Sequence, residues 1–177
     1  MKQKLTSLVL ALALLLSACA GAGDPAEWQE QYDLGVRYLS EGNYAEAILA
    51  FTAAIEIDPR RAEAYVGRGD AYIGSGENEE TLAAALADYQ KAVDLDESLA
   101  PAWLGLTDIH IRQRDFEAAL ETPREALEKT ENDPDVAGWL AEMEAGTFTD
   151  SSGNVRRTAI TDEAGTVTGY VDTEVFY

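Results

Sequence analysis

The chain has 177 residues, of which 33 are acidic and only 13 are basic, so its formal net charge is −20 at pH 7. A nucleic-acid backbone needs a basic protein face, so this composition excludes nucleic acid as an expected partner and disfavours direct adsorption to anionic lipid. The length suits one domain, and the single cysteine excludes an intramolecular disulfide, so the domain must be stabilised by packing.

A short apolar stretch from Leu5 to Leu16 follows Lys2 and Lys4 at the start of the chain. As a helix its 12 residues would span about 18 Å, which is well short of the ~30 Å core of a bilayer. We therefore expect a cleaved export signal and not a membrane-spanning helix.

The apolar stretch ends in Leu16, Ser17, Ala18 and Cys19, which resembles a bacterial lipoprotein signal with its lipobox. The resemblance implies that residues 1–18 are removed and that Cys19 is lipidated at its sulfur. The lipid would anchor the protein in the cell membrane on its extracytoplasmic side. The alternative is an ordinary secretory signal with an Ala-x-Ala-like cleavage site, in which Cys19 carries no lipid.

A pattern of small and aromatic residues then recurs with a period of about 34 residues, as from Gly35 to Gly69. The first copy contains Leu34, Gly35, Tyr38, Gly42, Tyr44, Ala47, Phe51, Ala54 and Pro59. The second contains Gly69, Tyr72, Gly76, Leu82, Ala85, Tyr89 and Ala92, and the third Trp103, Leu106, Phe116, Ala119 and Ala126.

This pattern resembles the tetratricopeptide repeat, which implies a mainly α solenoid of stacked helical hairpins over residues 26–145. A short linker, residues 20–25, would precede it. We expect repeats over residues 28–61, 62–99 and 100–133, followed by a capping helix over 134–145. Asp133 and Pro134 suit the start of that helix, as an N-cap and a first-turn proline.

Two departures from the pattern predict local features. The turn of the second repeat runs from Glu77 to Thr81 and is four residues longer than the turn of the first, which is Asn43 alone. Asn78 could cap a helix that starts about one turn early. Pro123 lies inside the last helix of the third repeat and should kink it, with a local restart made possible by Thr122 and Glu125.

After Gly146 the period changes to 12 residues, so that Asp150 and Gly153 recur as Asp162 and Gly165. Asp-x-x-Gly between extended runs favours hairpin turns, and we expect a small antiparallel β meander over residues 147–177. Its final strand should lie at a sheet edge. The tail weakly resembles short Asp-x-x-Gly-Asn hairpin repeats of bacterial envelope proteins.

Chemistry-bearing motifs are missing from the sequence. There is one histidine, with no metal-ligand spacing and no glycine-rich phosphate loop, so we expect no enzyme activity, metal, nucleotide or other cofactor. His110 takes the position of Tyr38 and Tyr72 in the repeat and is expected to be a packed core residue.

Recognition of another protein is therefore the predicted function. The resemblance implies a concave groove lined by one face of the first helix of each repeat. Mapped onto this chain, the groove residues are Gln29, Tyr32, Val36, Glu63, Val66, Asp70, Leu104, Asp108, Arg112 and Glu142.

Asp70, Asp108 and Glu142 occupy one column of this groove, over an apolar floor, so the expected partner is a basic or amphipathic protein segment. The alternative for these acids is a solvated face of a generally acidic protein. Two functions remain open: a lipid-anchored adaptor that binds through its groove, and a structural subunit of an envelope complex that contacts partners through its β tail.

Overall fold

The computed structural model describes residues 23–145, 147–149, 155–161 and 167–175. The predicted signal and Cys19 lie outside these residues, as do the predicted turns at Asp150 to Gly153 and Asp162 to Gly165. The helices are α1 (Pro25–Ser40), α2 (Tyr44–Ile57), α3 (Ala62–Ser75), α4 (Glu79–Leu95), α5 (Ala100–Arg112), α6 (Phe116–Lys129) and α7 (Pro134–Glu144).

The seven helices form three hairpins, α1–α2, α3–α4 and α5–α6, and α7 packs against the end of the stack. The predicted helical solenoid is therefore confirmed. The first helices of successive hairpins also contact one another, which places α1, α3, α5 and α7 along one side. This side is the concave face on which a groove can form.

Aromatic rings from the second helix of a hairpin fill the space between glycines on first helices. The ring of Phe51 lies against Gly35 and Gly67, and the ring of Tyr89 lies against Gly69 and Gly105. A methyl group added at Gly35 would come within 2.7 Å of the Phe51 ring. These glycines are therefore needed because only a missing side chain lets the rings pack so closely.

The extra residues of the second repeat extend α4 at its start, as predicted. The Asn78 side chain accepts hydrogen bonds from the backbone N–H groups of Glu80 and Thr81, both at 3.0 Å. The Thr81 hydroxyl accepts one from the Asn78 N–H at 3.1 Å. This reciprocal pair caps the helix and fixes its first residue at Glu79.

Helix α6 is continuous from Phe116 to Lys129, with Pro123 inside it. The helix therefore does not restart at Thr122, and the predicted kink at Pro123 stays a prediction. Pro123 is fully buried at the repeat position held by Phe51 and Tyr89, so its ring fills a core site and packing keeps the helix in one piece despite the missing N–H.

Three strands follow the helices: β1 (Thr147–Thr149), β2 (Val155–Thr161) and β3 (Val167–Val175). They pair antiparallel in the order β1-β2-β3, with Thr158 of β2 opposite both Thr147 and Val171. Strand β1 lies beside α7, and β3 contacts α6. Within the part of the chain just described, no helix has the length and apolarity needed to cross a bilayer.

Candidate functional site

A cleft of about 180 Å³ opens on the concave face, between the first two hairpins and the start of the third. Five of the predicted groove residues line it: Tyr32, Val36, Glu63, Val66 and Asp70. The cleft therefore lies where the repeat pattern placed the groove, in its first half. The remaining lining residues are Leu39, Phe51, Gly67, Leu99 and Pro101.

The floor and one wall of the cleft are apolar. Val36 is 44% exposed on the floor, which is unusual for a large aliphatic side chain in this domain. The Tyr32 ring forms one wall and is fixed in place by two other rings. It stacks on Trp28 with 4.8 Å between ring centroids and contacts Phe51 edge-on with 5.7 Å between centroids. An apolar side chain from a partner could therefore displace water here without any rearrangement of the wall.

Glu63 and Asp70 supply the charge of the cleft. They lie seven residues apart on α3 with Val66 between them, so they share a face and are separated by about 10 Å along the helix. The two carboxylates thus flank the apolar floor at either end.

Asp70 is exposed, yet it lies on a concave surface where protein surrounds it on most sides. This desolvation raises the pKa of Asp70 to about 6, which the charge of Asp108 reinforces. The Tyr89 hydroxyl donates a hydrogen bond of 2.7 Å to the Asp70 carboxylate and opposes the rise. The ionised form of Asp70 is therefore less stable in the folded protein than it would be in water.

The second half of the predicted groove is closed. Asp108 is only 3% exposed, and it accepts a hydrogen bond of 2.6 Å from Nε of Arg112. Arg112 also donates to Glu77, and its own side chain is 7% exposed. Asp108 and Arg112 thus form a buried ion pair, and the expectation that Asp108 faces a partner is wrong because Arg112, one turn later, neutralises and covers it.

The other predicted groove residues lie outside the cleft. Leu104 is partly buried and packs against the core of the second and third hairpins. Gln29 is exposed and donates a hydrogen bond to Asp33 at 2.8 Å. Glu142 is exposed on α7. None of the three is among the cleft residues, so the acidic column does not form one continuous accessible stripe.

Sequence reasoning missed the contributions of Leu99 and Pro101. They lie at the start of α5, where the chain enters the third repeat. The proline at the second helical position marks that start, but its position facing the first repeat depends on how the hairpins stack. No period in the sequence signals that contact.

His110 is half-buried, and its Nδ1 has no hydrogen-bond partner among the described residues. Burial lowers the pKa of His110, while the nearby Asp115 opposes the shift. No group of histidine, cysteine or acidic side chains that could hold a metal ion occurs within the ranges that the structure covers. The cleft offers an apolar surface and two carboxylates, and these features suit the binding of another molecule.

Comparison with known proteins points to one repeat architecture. A family model described as TPR repeat matches residues 35–76, and a second, described as tetratricopeptide repeat, matches residues 79–143. The chain is 27% identical over 144 residues to Protein CTR9 homolog of Arabidopsis thaliana. That match covers 81% of this chain but only 12% of the relative, so the chain spans a small part of it.

Two solved structures show the same fold. The first TPR of Spaghetti (RPAP3), bound to HSP90 peptide SRMEEVD, has a TM-score of 0.59 and 23% identity, and the match covers 70% of this chain and 94% of that one. The TPR2AB-domain:pHSP90-complex of yeast Sti1 has a TM-score of 0.61 and 25% identity. The second match covers 80% of this chain and 53% of that one.

Proposed function

Because the chain belongs to the tetratricopeptide-repeat family of non-enzymatic adaptor domains, we propose that it is an adaptor whose concave cleft holds a segment of a partner protein. The observation that carries the proposal is the apolar cleft itself, with Val36 exposed on its floor. Exposed large apolar side chains in a concave site are typical of binding surfaces. The RPAP3 and Sti1 domains with the same fold are described as bound to Hsp90 ligands, which supports peptide binding as the general mode.

A photocrosslinking amino acid at position 36 tests the cleft in cells that produce the protein. The matched control carries the same amino acid at position 90, since Gln90 is exposed and lines a separate cleft between α4, α5 and α6. A discrete adduct at position 36 and none at position 90 is the expected result. Identical adducts at both positions, or no adduct at position 36, would contradict binding in the concave cleft.

We also propose that the adaptor is attached to the extracytoplasmic side of the membrane by a lipid on Cys19. The support is the apolar stretch that ends in Ala18 and Cys19. Cys19→Ser should abolish labelling with radioactive palmitate and move the protein from the membrane fraction to the soluble fraction. Retention of both label and membrane association in the variant would exclude this anchor.

A second candidate contact is the β sheet. In the part of the chain that the structure describes, β3 pairs only with β2, and its other edge has no strand neighbour. An edge strand with unpaired backbone groups can accept a strand from a partner. The protein would then act as a structural subunit of an envelope complex, with the sheet and not the cleft as its contact.

A further inference from the structure

We infer that the cleft selects an amphipathic helical segment that presents one large apolar side chain between two basic side chains, at positions i, i+3 or i+4, and i+7. This inference rests on the proposed function and specifies its ligand. It also differs from the acidic column expected from the sequence, because the recognising acids are Glu63 and Asp70 alone.

The size of the cleft indicates how much of a partner enters it. A volume of about 180 Å³ is below the 300 Å³ or more of typical small-molecule sites. It suits a single leucine, isoleucine or phenylalanine side chain. Apolar anchors of this kind supply most of the affinity at protein interfaces, so one inserted side chain is the expected centre of the contact.

The two carboxylates at the ends of the cleft have no basic partner among the residues that the structure describes. No basic residue lines the cleft, and Arg61, near its Tyr32 wall, stacks 3.5 Å over the ring of Trp28. By contrast, Asp88 is bound by Arg68 through two hydrogen bonds of 2.7 and 2.8 Å. The buried acids Asp88 and Asp108 have arginine partners, whereas the two cleft acids have no such cation beside them.

The residue four positions later accounts for the difference between Asp108 and Asp70. Arg112 follows Asp108 by one turn and pairs with it. The residue one turn after Asp70 is Gly74, which has no side chain and lies under the ring of Tyr44. Asp70 therefore keeps a carboxylate that is desolvated but not neutralised, and a cation from a partner would relieve that cost.

The spacing of the acids sets the spacing of the ligand. Asp70 follows Glu63 by seven positions on α3, which is about 10 Å at 1.5 Å per residue. A helix that lies along α3 presents basic residues at i and i+7 with the same separation, and an apolar residue at i+3 or i+4 on the same face. An acidic segment such as the SRMEEVD peptide described for the RPAP3 domain would place carboxylates against Glu63 and Asp70 and is expected to be rejected.

Peptide binding to the detergent-solubilised protein tests the inference. The probe is a fluorescent, helix-stabilised peptide with lysines at i and i+7 and leucine at i+4. Three matched peptides each change one feature: lysines moved to i+2 and i+5, lysines replaced by glutamate, and leucine replaced by serine. Each change should weaken binding at least tenfold in fluorescence anisotropy, and equal affinity across the four peptides would overturn the inference.

Protein variants locate the contact. The double variant Glu63→Gln with Asp70→Asn should lower the affinity for the peptide with lysines at i and i+7 about tenfold. It should also reduce the salt dependence of that binding. The control Glu56→Gln with Glu128→Gln makes the same charge change at two exposed residues outside the cleft and should change affinity less than twofold. Equal effects of the two pairs would show only general attraction to an acidic protein.

The two proposals fail in different ways. If the peptides do not bind but crosslinking at position 36 still captures a partner, the adaptor function holds and the ligand pattern is wrong. If crosslinking also fails, the cleft is not the binding site. Circular dichroism of each variant confirms that the helices remain folded, and the peptide series needs no protein variant at all.

Discussion

Asp70 and Asp108 occupy the same repeat position and have opposite roles. Asp108 is buried and paired with Arg112, so it stabilises the third hairpin from inside. Asp70 is exposed in the cleft and accepts a hydrogen bond only from the Tyr89 hydroxyl among its described contacts. A single neighbouring residue, arginine in one repeat and glycine in the other, decides whether the acid supports the fold or remains available for binding.

Asp70→Asn is expected to raise the free energy of unfolding at pH 7. Because the pKa of Asp70 is about 6 in the folded protein and the ordinary pKa of an aspartate is 3.8, the ionised form is disfavoured in the folded state above pH 6. The cost disappears as pH falls below about 4. The gain should be on the order of 1 kcal/mol, after allowance for solvent screening at this exposed site.

Urea denaturation of wild type and Asp70→Asn at pH 7.5 and at pH 4 measures this effect. Glu56→Gln, at an exposed site on α2, is the control and should change stability little at either pH. A variant that is less stable than wild type at pH 7.5 would show that the Tyr89 hydrogen bond outweighs the desolvation of the carboxylate.

Arg112→Met should destabilise the protein by about 3 kcal/mol, because Asp108 would lose its ion pair while still buried. Adding Asp108→Asn should restore much of the loss, since no buried charge is then left without a counterion. Thermal and urea unfolding of the single and double variants measure the difference. If the double variant is no more stable than the single one, the ion pair is not the main contribution of Arg112.

The repeat spacing located the groove residues but did not separate the accessible acids from the buried one. Period and position give the helix face on which Asp70 and Asp108 lie. How deeply each acid is buried depends on which side chains cover that face. The side chain of Arg112 covers Asp108 and also pairs with Glu77, in the turn before α4. The pair of Arg112 with Asp108 is an i, i+4 contact that the sequence spacing could have indicated. The contact of Arg112 with Glu77 joins residues 35 apart, and no local pattern reveals it.

The start of α4 is an element that the sequence did predict. A four-residue shift between repeat columns located the insertion, and the side chains of Asn78 and Thr81 accept the three hydrogen bonds of the cap. Local signals sufficed because a helix cap involves only the residues within one turn.

Asn78→Ala should lower the free energy of unfolding by about 1 kcal/mol, because two backbone N–H groups at the start of α4 lose their acceptor. Asn43→Ala is the matched control, since Asn43 occupies the same position before α2 but its side chain makes no capping hydrogen bond. Urea unfolding should therefore separate the two variants. Equal losses would mean that the cap contributes no more than any asparagine near a helix end.

Helix α6 shows where local reasoning fails. An internal proline normally interrupts a helix because it removes a hydrogen bond and crowds the preceding turn. Pro123 is nonetheless tolerated, because its ring is buried at a site that aromatic rings fill in the other repeats. The hydrogen bond that Pro123 removes can be predicted from the sequence. The packing of neighbouring helices around its ring, which compensates for that loss, cannot.

At the scale of the whole molecule, the helical stack should fold without the sheet. Among the described residues, the sheet meets the helices mainly where β1 contacts the capping helix α7 and β3 contacts α6, while the main core lies between the hairpins. Deletion of residues 147–177 should leave the helical circular dichroism intact and lower Tm by only a few degrees. Crosslinking at position 36 should persist in the deleted protein, unless the partner also needs the sheet.

Loss of cooperative unfolding after this deletion would show that the sheet is part of the core. Loss of the adduct at position 36 with the helices still folded would instead assign the partner contact to the sheet.

The repeat architecture itself could be predicted from sequence because stacked repeats impose the same small residues at a fixed period. The position of the sheet on α6 and α7 could not, since no repeat partner constrains it.

The hydrogen bond from the Gly23 N–H to the Ile57 carbonyl, at 2.9 Å, fixes the beginning of the domain against the end of α2. With a lipid on Cys19, only four peptide units would separate the membrane surface from this fixed point, a reach of roughly 14 Å at about 3.6 Å per residue. The cleft would then sample only a thin layer beside the bilayer, and its encounters would be limited to segments that enter that layer. A longer linker of glycine and serine between Cys19 and Gly23 would let the cleft reach proteins farther from the membrane without altering any contact in the cleft.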